Sequence, residues 1–553
     1  MKSICFVRFP ARARRFVSSV GLAVGLLAWP AGTGYAAADF TVNIVAMGAQ
    51  PDGSTDSTAA IQKAIDACHD RGGGKVIIPA GRFLTGTLQL RDNVTLHFQT
   101  AGVLLGAPQL DAYRNLDPFK EGLGVDVGYA LIAAIDVKNI GLEGDGVIDG
   151  QGRILANAQI RRGDKNWGRR PFLVQLVRCS GVTLEGLRLQ NSGAWTLHMF
   201  QCRDVTADDL HINSHGLPHN DGIDIDSCQN VQVKDCDIMS GDDALCFKTT
   251  SVVPCRSIQV TGCTFDTGES AIKMGTESLA NFEDIQISNC RVLLAHEGGI
   301  KLFSVDGGCV QNVTISDIDM SNATIPIMVR LGARLKTFRP GDPKQEVGAI
   351  RNVTLRNITA KNSSLVGVLL TGIPGHPIEN LTLSHVTIEM PGGGSWEEGQ
   401  EKLAENESAY PEISMFGDRM PTPGVYARHV RGLTVDDFTL NLGYADLRPA
   451  LLCLDGQDVR FSSWRTNGNL EADIPIRFES VRHALVSGFK LQDDAAAFVS
   501  VSGKDSAAIQ LDNNNLEAGT LPAQLDDDVS KTAVESVKGC EATSDAKPAK
   551  APL

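Results

Sequence analysis

Two short stretches hold the residues best suited to chemistry. Asp221-Gly222-Ile223-Asp224 and Gly241-Asp242-Asp243 place carboxylates in two clusters about twenty residues apart, set between runs of Ile, Val and Leu. Carboxyl groups held within roughly 5–8 Å of one another cannot all ionise cheaply, and each pKa unit of displacement corresponds to about 1.4 kcal/mol. One of them is expected to keep a proton while another stays ionised. Acid-assisted hydrolysis of a glycosidic bond needs that division: a protonated acid for the leaving oxygen and a carboxylate to activate water. Taken alone, each stretch is equally an ordinary turn or a solvated strand edge, so the chemistry requires an architecture that brings both clusters to one face.

A repeated phrase supplies such an architecture. It reads GVTLEGLRL at 181, DVTADDLHI at 204, NVQVKDCDI at 230, SIQVTGCTF at 257, DIQISNCRV at 284 and NVTISDIDM at 312. It continues as NVTLRNITA at 352, NLTLSHVTI at 380, GLTVDDFTL at 432 and DVRFSSWRT at 458. Aligned on the second residue, one column is Leu184, Ala207, Val233, Val260, Ile287, Ile315, Leu355, Leu383, Val435 and Phe461, apolar throughout. A second column is Leu187, Leu210, Cys236, Cys263, Cys290, Ile318, Ile358, Val386, Phe438 and Trp464, again with no charged or amide member. Most steps are 23–28 residues, and two long ones, of 40 and 52, contain extra loops from Phe338 and from Gly392 to Gly424. Units of this length with short strands and turns, burying apolar faces only against neighbours, predict an all-β parallel solenoid; propeller blades would need four strands each.

The repeat also bears on motifs that point elsewhere. Asn-x-Thr occurs at Asn93, Asn312, Asn352, Asn357 and Asn380, where a turn Asn before a β-branched strand residue is a better reading than glycosylation. Cys236, Cys263 and Cys290 fall one rung apart in an inward column, so a ladder of buried thiols competes with a disulfide there, and a metal site is not expected. Near the N-terminus, Asp56 precedes Ile61, Ala64, Ile65 and Cys68 at helical spacing, which predicts a helix capping the first rung.

Lys2, Arg8, Arg12, Arg14 and Arg15 precede an apolar run from Phe16 to Trp29 and then Ala36-Ala37-Ala38. That order reads as a signal peptide over 1–38, too short for a membrane span, with Arg14-Arg15 a weaker match to a twin-arginine signal. Its removal would take the formal charge from -14 to -19, which disfavours nucleic acid as a partner. The expected layout is a cap and first rungs over 39–110, a catalytic solenoid over 111–518 and a disordered tail over 519–553. The product would be secreted or periplasmic, with no membrane span.

Carrying register to the second strand of each rung aligns Trp195-Thr196-Leu197-His198, Asp221-Gly222-Ile223-Asp224, Asp243-Ala244-Leu245-Cys246, Ser270-Ala271-Ile272-Lys273 and Gly298-Gly299-Ile300-Lys301 on their buried Leu or Ile. Strand side chains alternate, so His198, Asp224, Cys246, Lys273 and Lys301 form an outward column. Asp221 and Asp243 become neighbours beside it, with Asp242 next to them, and the expected site is an open, solvent-facing flank.

These residues resemble glycoside hydrolase family 28, the polygalacturonases and related pectin hydrolases of the pectin-lyase-like superfamily. The resemblance rests on Asp221-Gly222-Ile223-Asp224 followed by Gly241-Asp242-Asp243, on GAQPDGSTDSTAAIQKAIDAC from Gly48 and on SGAWTLH ending at His198. YPEISMFGDRMPTPGVYARHV from Tyr410 is similar to some bacterial members. It implies a right-handed parallel β-helix, with Asp242 as general acid and Asp221 with Asp243 activating water in an inverting displacement. It implies a substrate contact from Lys301; the outward column and its flank add Lys273, His198, Asp224, Asn220 and His219 as expected substrate contacts, and neither metal nor cofactor is expected. Three positions depart from the family pattern: Gly299 replaces an arginine, Ser270 a histidine, and His219 an asparagine, with Asn220 shifted by one. Possible replacements for the missing cation are Lys273 and the insertion carrying Arg153, Arg161, Arg162, Lys165, Arg169 and Arg170 with Trp167. An anionic, uronate-containing glycan is therefore the expected partner, the alternative being a basic loop satisfied by the protein's own acids. A lyase using calcium with Lys273 or Lys301 as base, and a non-catalytic glycan-binding solenoid, are the competing functions on the same fold.

Overall fold

The computed structural model describes residues 40–157, 163–164, 166–490, 495–516 and 519–538. The proposed signal segment and the basic residues Arg161, Arg162 and Lys165 lie outside them. From Thr41 onward, strands pair in parallel with the strand one rung away, and the one antiparallel strand pair among the described residues joins Arg114–Lys120 to Asp126–Ile135. The result is a parallel β-helix.

The first predicted inward column is a ladder in register throughout, and the second is one from Cys290 to Phe438. Leu184 pairs with Ala207, Ala207 with Val233, Val233 with Val260 and Val260 with Ile287, and the column continues to Phe461. All its members are buried in one continuous core. The second column ends in stacked aromatic rings, Phe438 and Trp464 with centroids 4.3 Å apart. The helix Thr58–Asp70 buries Ile61, Ala64, Ile65 and Cys68 over the first strands.

The first residue of each repeat phrase has a backbone role. Gly181, Asp204, Asn230, Ser257, Asp284, Asn312, Asn352, Asn380, Gly432 and Asp458 all take the left-handed conformation, with φ between +52° and +68°. Gly and Asn tolerate that region best, because a Cβ crowds the backbone there. The turn asparagines also stack: Asn352 donates from Nδ2 to Asn312 Oδ1 at 3.4 Å, and Asn380 to Asn352 Oδ1 at 3.3 Å. The eleven described cysteines are free, and Cys236, Cys263 and Cys290 are buried thiols one rung apart.

The C-terminal end differs from the expected disordered tail. Leu521–Leu525 pairs with Ala497–Ser502, and Val534–Lys538 pairs with Ala507–Asp512, adding another rung. A terminal strand needs only the backbone ladder and a few buried groups, here Val529 and Ala533, so its polar composition conceals it. No helix among the described residues is long and apolar enough to cross a membrane.

Candidate active site

The site lies on the outer side of one face of the helix. His198, Asp224, Cys246, Lys273 and Lys301 are successive register partners, as alternation predicts. The column runs further in both directions, to Gln175 and Ala133 on one side and to Met328, Leu369, Tyr426 and Leu452 on the other. Its apolar ends are where inserted segments dock. The antiparallel ribbon 114–135 packs Phe119 and Val127 on Phe172, Ala194 and Trp195. The 392–424 loop seats Leu403, Ile413, Phe416 and Met420 on Phe303, Met328, Leu369 and Tyr426.

These covers overturn the expectation of an open, solvent-facing flank. His198, Asp224, Cys246 and Lys301 are fully buried, and Lys273 is 5% exposed. His198 sits among Phe119, Phe172, Trp195 and Phe200, with Nε2 3.4 Å from Asp226 Oδ2. Enclosed on all these sides, it is placed to orient Asp226 rather than to meet a sugar. Asn220 is likewise a structural tie, because its Nδ2 donates to Ser192 O at 2.8 Å and Ala194 O at 2.9 Å. His219 has φ +59°, packs edge-on to Trp167 and donates its backbone N–H to Asp242 Oδ2 at 2.9 Å.

The three aspartates do come together. One oxygen from each of Asp221, Asp242 and Asp243 lies within 4.8 Å of the others. The rungs carrying them are locked by the N–H of Gly222 donating to Asp243 O at 2.8 Å. A Cβ on Gly222 would meet Ala244 O and Ile238 Cγ2 at 2.4 Å, so only glycine lets these rungs approach. Asp242 is half-buried, whereas Asp221 and Asp243 are 2% and 3% exposed. Ser270 Oγ, fully buried on the residue whose N–H donates to Asp243 Oδ1 at 3.2 Å, has no hydrogen-bond partner among the described residues.

The positive charge in the cluster comes from buried lysines, one of which sequence reasoning missed. Lys248 Nζ is 3.2 Å from Asp221 Oδ2, 3.4 Å from Asp224 Oδ1 and 3.6 Å from Glu277 Oε2, and stands 4.5 Å from the centre of the Trp195 ring. Burial favours its neutral form, but Cys246 and the carboxylates Glu277, Asp221 and Asp224 outweigh that and hold it charged. One ammonium cannot satisfy all its partners. Burial and the Asp224 charge push Asp221 well above the usual carboxylate range, and burial pushes Asp224 up to about 6 despite Lys248 and His198. Alternation could have found Lys248, which lies two residues beyond outward-facing Cys246.

Lys273 Nζ bonds Asp243 Oδ2 at 3.0 Å and Glu412 Oε1 at 2.9 Å, and Lys301 Nζ bonds Glu412 Oε2. Both triads of acidic and thiol ligands here, Asp221 with Asp242 and Asp243, and Asp221 with Asp224 and Cys246, are close enough to share a cation. Lys248 and Lys273 already supply that counter-charge directly to their oxygens.

On the other side, Arg170 is buried under Trp167, its guanidinium carbon 3.6 Å from the ring centre, and donates from Nη1 to Pro218 O at 2.7 Å. Burial lowers it to about 10, opposed by the charges of Asp242 and Asp221. Arg169 is paired with Asp111 at 2.5 Å, as a self-satisfied basic loop would be. At Gly299 a Cβ would lie 2.8 Å from the backbone oxygen of Pro326 as well as 2.6 Å from Met320 Sδ, so a side chain there would force the backbone to shift.

A parallel β-helix with clustered carboxylates on the outer side of one face, flanked by inserted loops, defines a class of glycan-acting proteins. The comparisons make it specific. Residues 68–406 match the family described as Glycosyl hydrolases family 28, and the chain belongs to that family and is a glycoside hydrolase. A "Probable polygalacturonase" of Vitis vinifera is 27% identical over 63% of this chain and 74% of its own length. Several other curated relatives are matched over less than half of their length. Among solved structures, the Yersinia enterocolitica family 28 exopolygalacturonase aligns with a TM-score of 0.57 at 21% identity, covering 73% of this chain and 75% of that one. The hyperthermoactive exopolygalacturonase of Thermotoga maritima aligns at 0.54 and 24%, covering 64% and 88%. The fold is the right-handed parallel β-helix of these neighbours.

Proposed function

We propose that the protein is an exported hydrolase of pectic, uronate-containing glycans, with Asp242 as general acid and Asp221 and Asp243 acting on water. The observation that carries this reading is the convergence of one oxygen from each of the three aspartates within 4.8 Å. Asp242, the least buried, is the one placed to give its proton to a glycosidic oxygen in the cleft. Asp221 and Asp243 hold the water, whichever of the two is ionised takes its proton as it attacks the anomeric carbon, the leaving oxygen takes the proton of Asp242, and the cluster returns a proton to Asp242. The raised Asp221 and Asp224 carboxyls keep a proton available, and it belongs to the interacting group rather than to one residue. Lys248 and Lys273 steady the charges that remain.

Stereochemistry has a second reading. Carboxyls of inverting enzymes usually stand roughly 6.5–9.5 Å apart, and those of retaining enzymes about 5–5.5 Å. The 4.8 Å here is a closest approach of single oxygens rather than that separation, and the family resemblance favours inversion. Incubation with galacturonan and rhamnogalacturonan fragments, followed by NMR of the first-formed anomer, separates the two. Asp221→Asn, Asp242→Asn and Asp243→Asn are each expected to lower kcat by about 100-fold or more while the proteins stay folded. Release of reducing ends at wild-type rates by all three would refute the assignment, and formation of an unsaturated, ultraviolet-absorbing product would favour the lyase reading.

A further inference from the structure

The 392–424 loop does more than cover the site. Its Glu412 reaches down to Lys273 and Lys301 and bonds both, filling the place between them with a resident carboxylate. Burial would drive this carboxyl up, but the two lysines hold it at about 2, so it is ionised at any working pH. The group is fixed as well as charged, since Ile413 and Phe416 next to it are set in the apolar cluster formed with Met328, Leu369 and Tyr426. A cavity of about 470 Å³ opens beside it, and its acidic lining is Glu269, Glu297, Glu412 and Asp418. Glu269 leads into Ser270, whose N–H donates to Asp243, so this cavity adjoins the three aspartates. Its field is negative enough that burial together with Asp242, Asp243 and Glu297 pushes Glu269 up to about 8.

We propose that Glu412 is a specificity-determining residue: it occupies the Lys273–Lys301 pair in place of a uronate carboxylate, so the subsite beside Asp243 accepts an uncharged sugar unit and rejects a free uronate. A uronate entering here would have to displace an anchored carboxylate or lie against it beside Glu297 and Asp418, and like charges brought together at an interface cost several kcal/mol. An uncharged unit, either a neutral pyranose or an esterified uronate, avoids both penalties and leaves Lys273 on Asp243. This inference rests on the pectic reading above and narrows it.

The test compares kcat/KM of the full-length protein near pH 5, where ordinary carboxyls are largely ionised, on three oligosaccharides of equal length. One is unesterified galacturonan, one fully methyl-esterified galacturonan, and one an alternating polymer of uronate and neutral sugar. The unesterified oligomer is expected to be the poorest, by at least about tenfold, and whichever of the others is best identifies the uncharged unit as an ester or a neutral sugar. Glu412→Gln should close that gap by about tenfold, mainly through the KM of the unesterified oligomer. The double variant Glu297→Gln, Asp418→Asn, at the half-buried and exposed walls of the cavity, should narrow it in the same direction and serves if the loop cannot fold without Glu412. Wild-type preference for the unesterified oligomer, or an unchanged ratio in both variants, overturns the inference alone. Failure to cleave any of the three overturns the pectic reading and this inference with it.

Discussion

At the scale of single residues, the site is a problem of too few cations for too many carboxylates. Lys248 is shared among Asp221, Asp224 and Glu277, and the deficit appears as raised carboxyls. An acid whose folded-state pKa lies above its unfolded value stabilises the fold in its protonated form. That contribution is complete below the unfolded pKa of about 3.9 and is lost as pH rises through the folded value. For Asp224 the window runs from its ordinary value of 3.8 to about 6. Asp224→Asn removes this titration. Relative to wild type, the variant should therefore gain on the order of 1–3 kcal/mol in unfolding free energy between pH 4 and pH 7.5. Denaturant melts at the two pH values measure it, and an equal wild-type–variant difference at both would show that Asp224 is not buried unfavourably. Asp221, Asp242 and Asp243 were legible as a cluster from their spacing and register. Lys248 and Glu412 were not singled out, the first although alternation exposes it, the second because its loop has no register to the helix.

Single elements are held by their turns as much as by their strands. Ten repeat phrases begin on a left-handed residue, and the type at that position decides how much the turn costs. Asn352, at φ +55°, also carries a hydrogen bond in the asparagine stack on each side. Asn352→Val should lose about 1–2 kcal/mol, whereas Asn352→Gly should come close to wild type, because glycine pays no Cβ penalty in that region. Denaturation midpoints of the pair distinguish this from a simple loss of hydrogen bonds, which would harm both alike. The long repeat steps marked both insertions in the sequence. Their landing places follow from packing, in which Phe416 and Met420 find Phe303 and Met328 on two adjacent rungs far away in sequence.

For the whole molecule, a β-helix must end every stack of strands without leaving an open edge. The rung built from Leu521–Leu525 and Val534–Lys538 covers Val499, Val501, Ile509 and Leu511, all fully buried. A chain ending at residue 519 would bare that edge, so it should unfold at lower temperature and self-associate more than the full chain, as light scattering during a thermal ramp would report. Identical melting of the two would make the last rung dispensable. The same scale governs the cleft, whose Trp167–Arg170 side carries buried guanidinium and whose Glu412 side is acidic. A substrate with one kind of charge along its length does not match both.

What the sequence by itself determined is periodic: the parallel helix, its inward columns, the outward column from His198 to Lys301 and the meeting of Asp221 with Asp242 and Asp243. Each follows from the two-residue alternation of strands and a nearly constant rung length, which act locally and add up without ambiguity. Only the tertiary structure decided that this column is roofed over, that His198 and Asn220 hold the scaffold, and that Glu412 holds Lys273 and Lys301. Those outcomes depend on where aperiodic insertions come to rest. Their resting places are set by apolar contacts and ion pairs between residues as far apart as Lys273 and Glu412, and no repeat spacing encodes them.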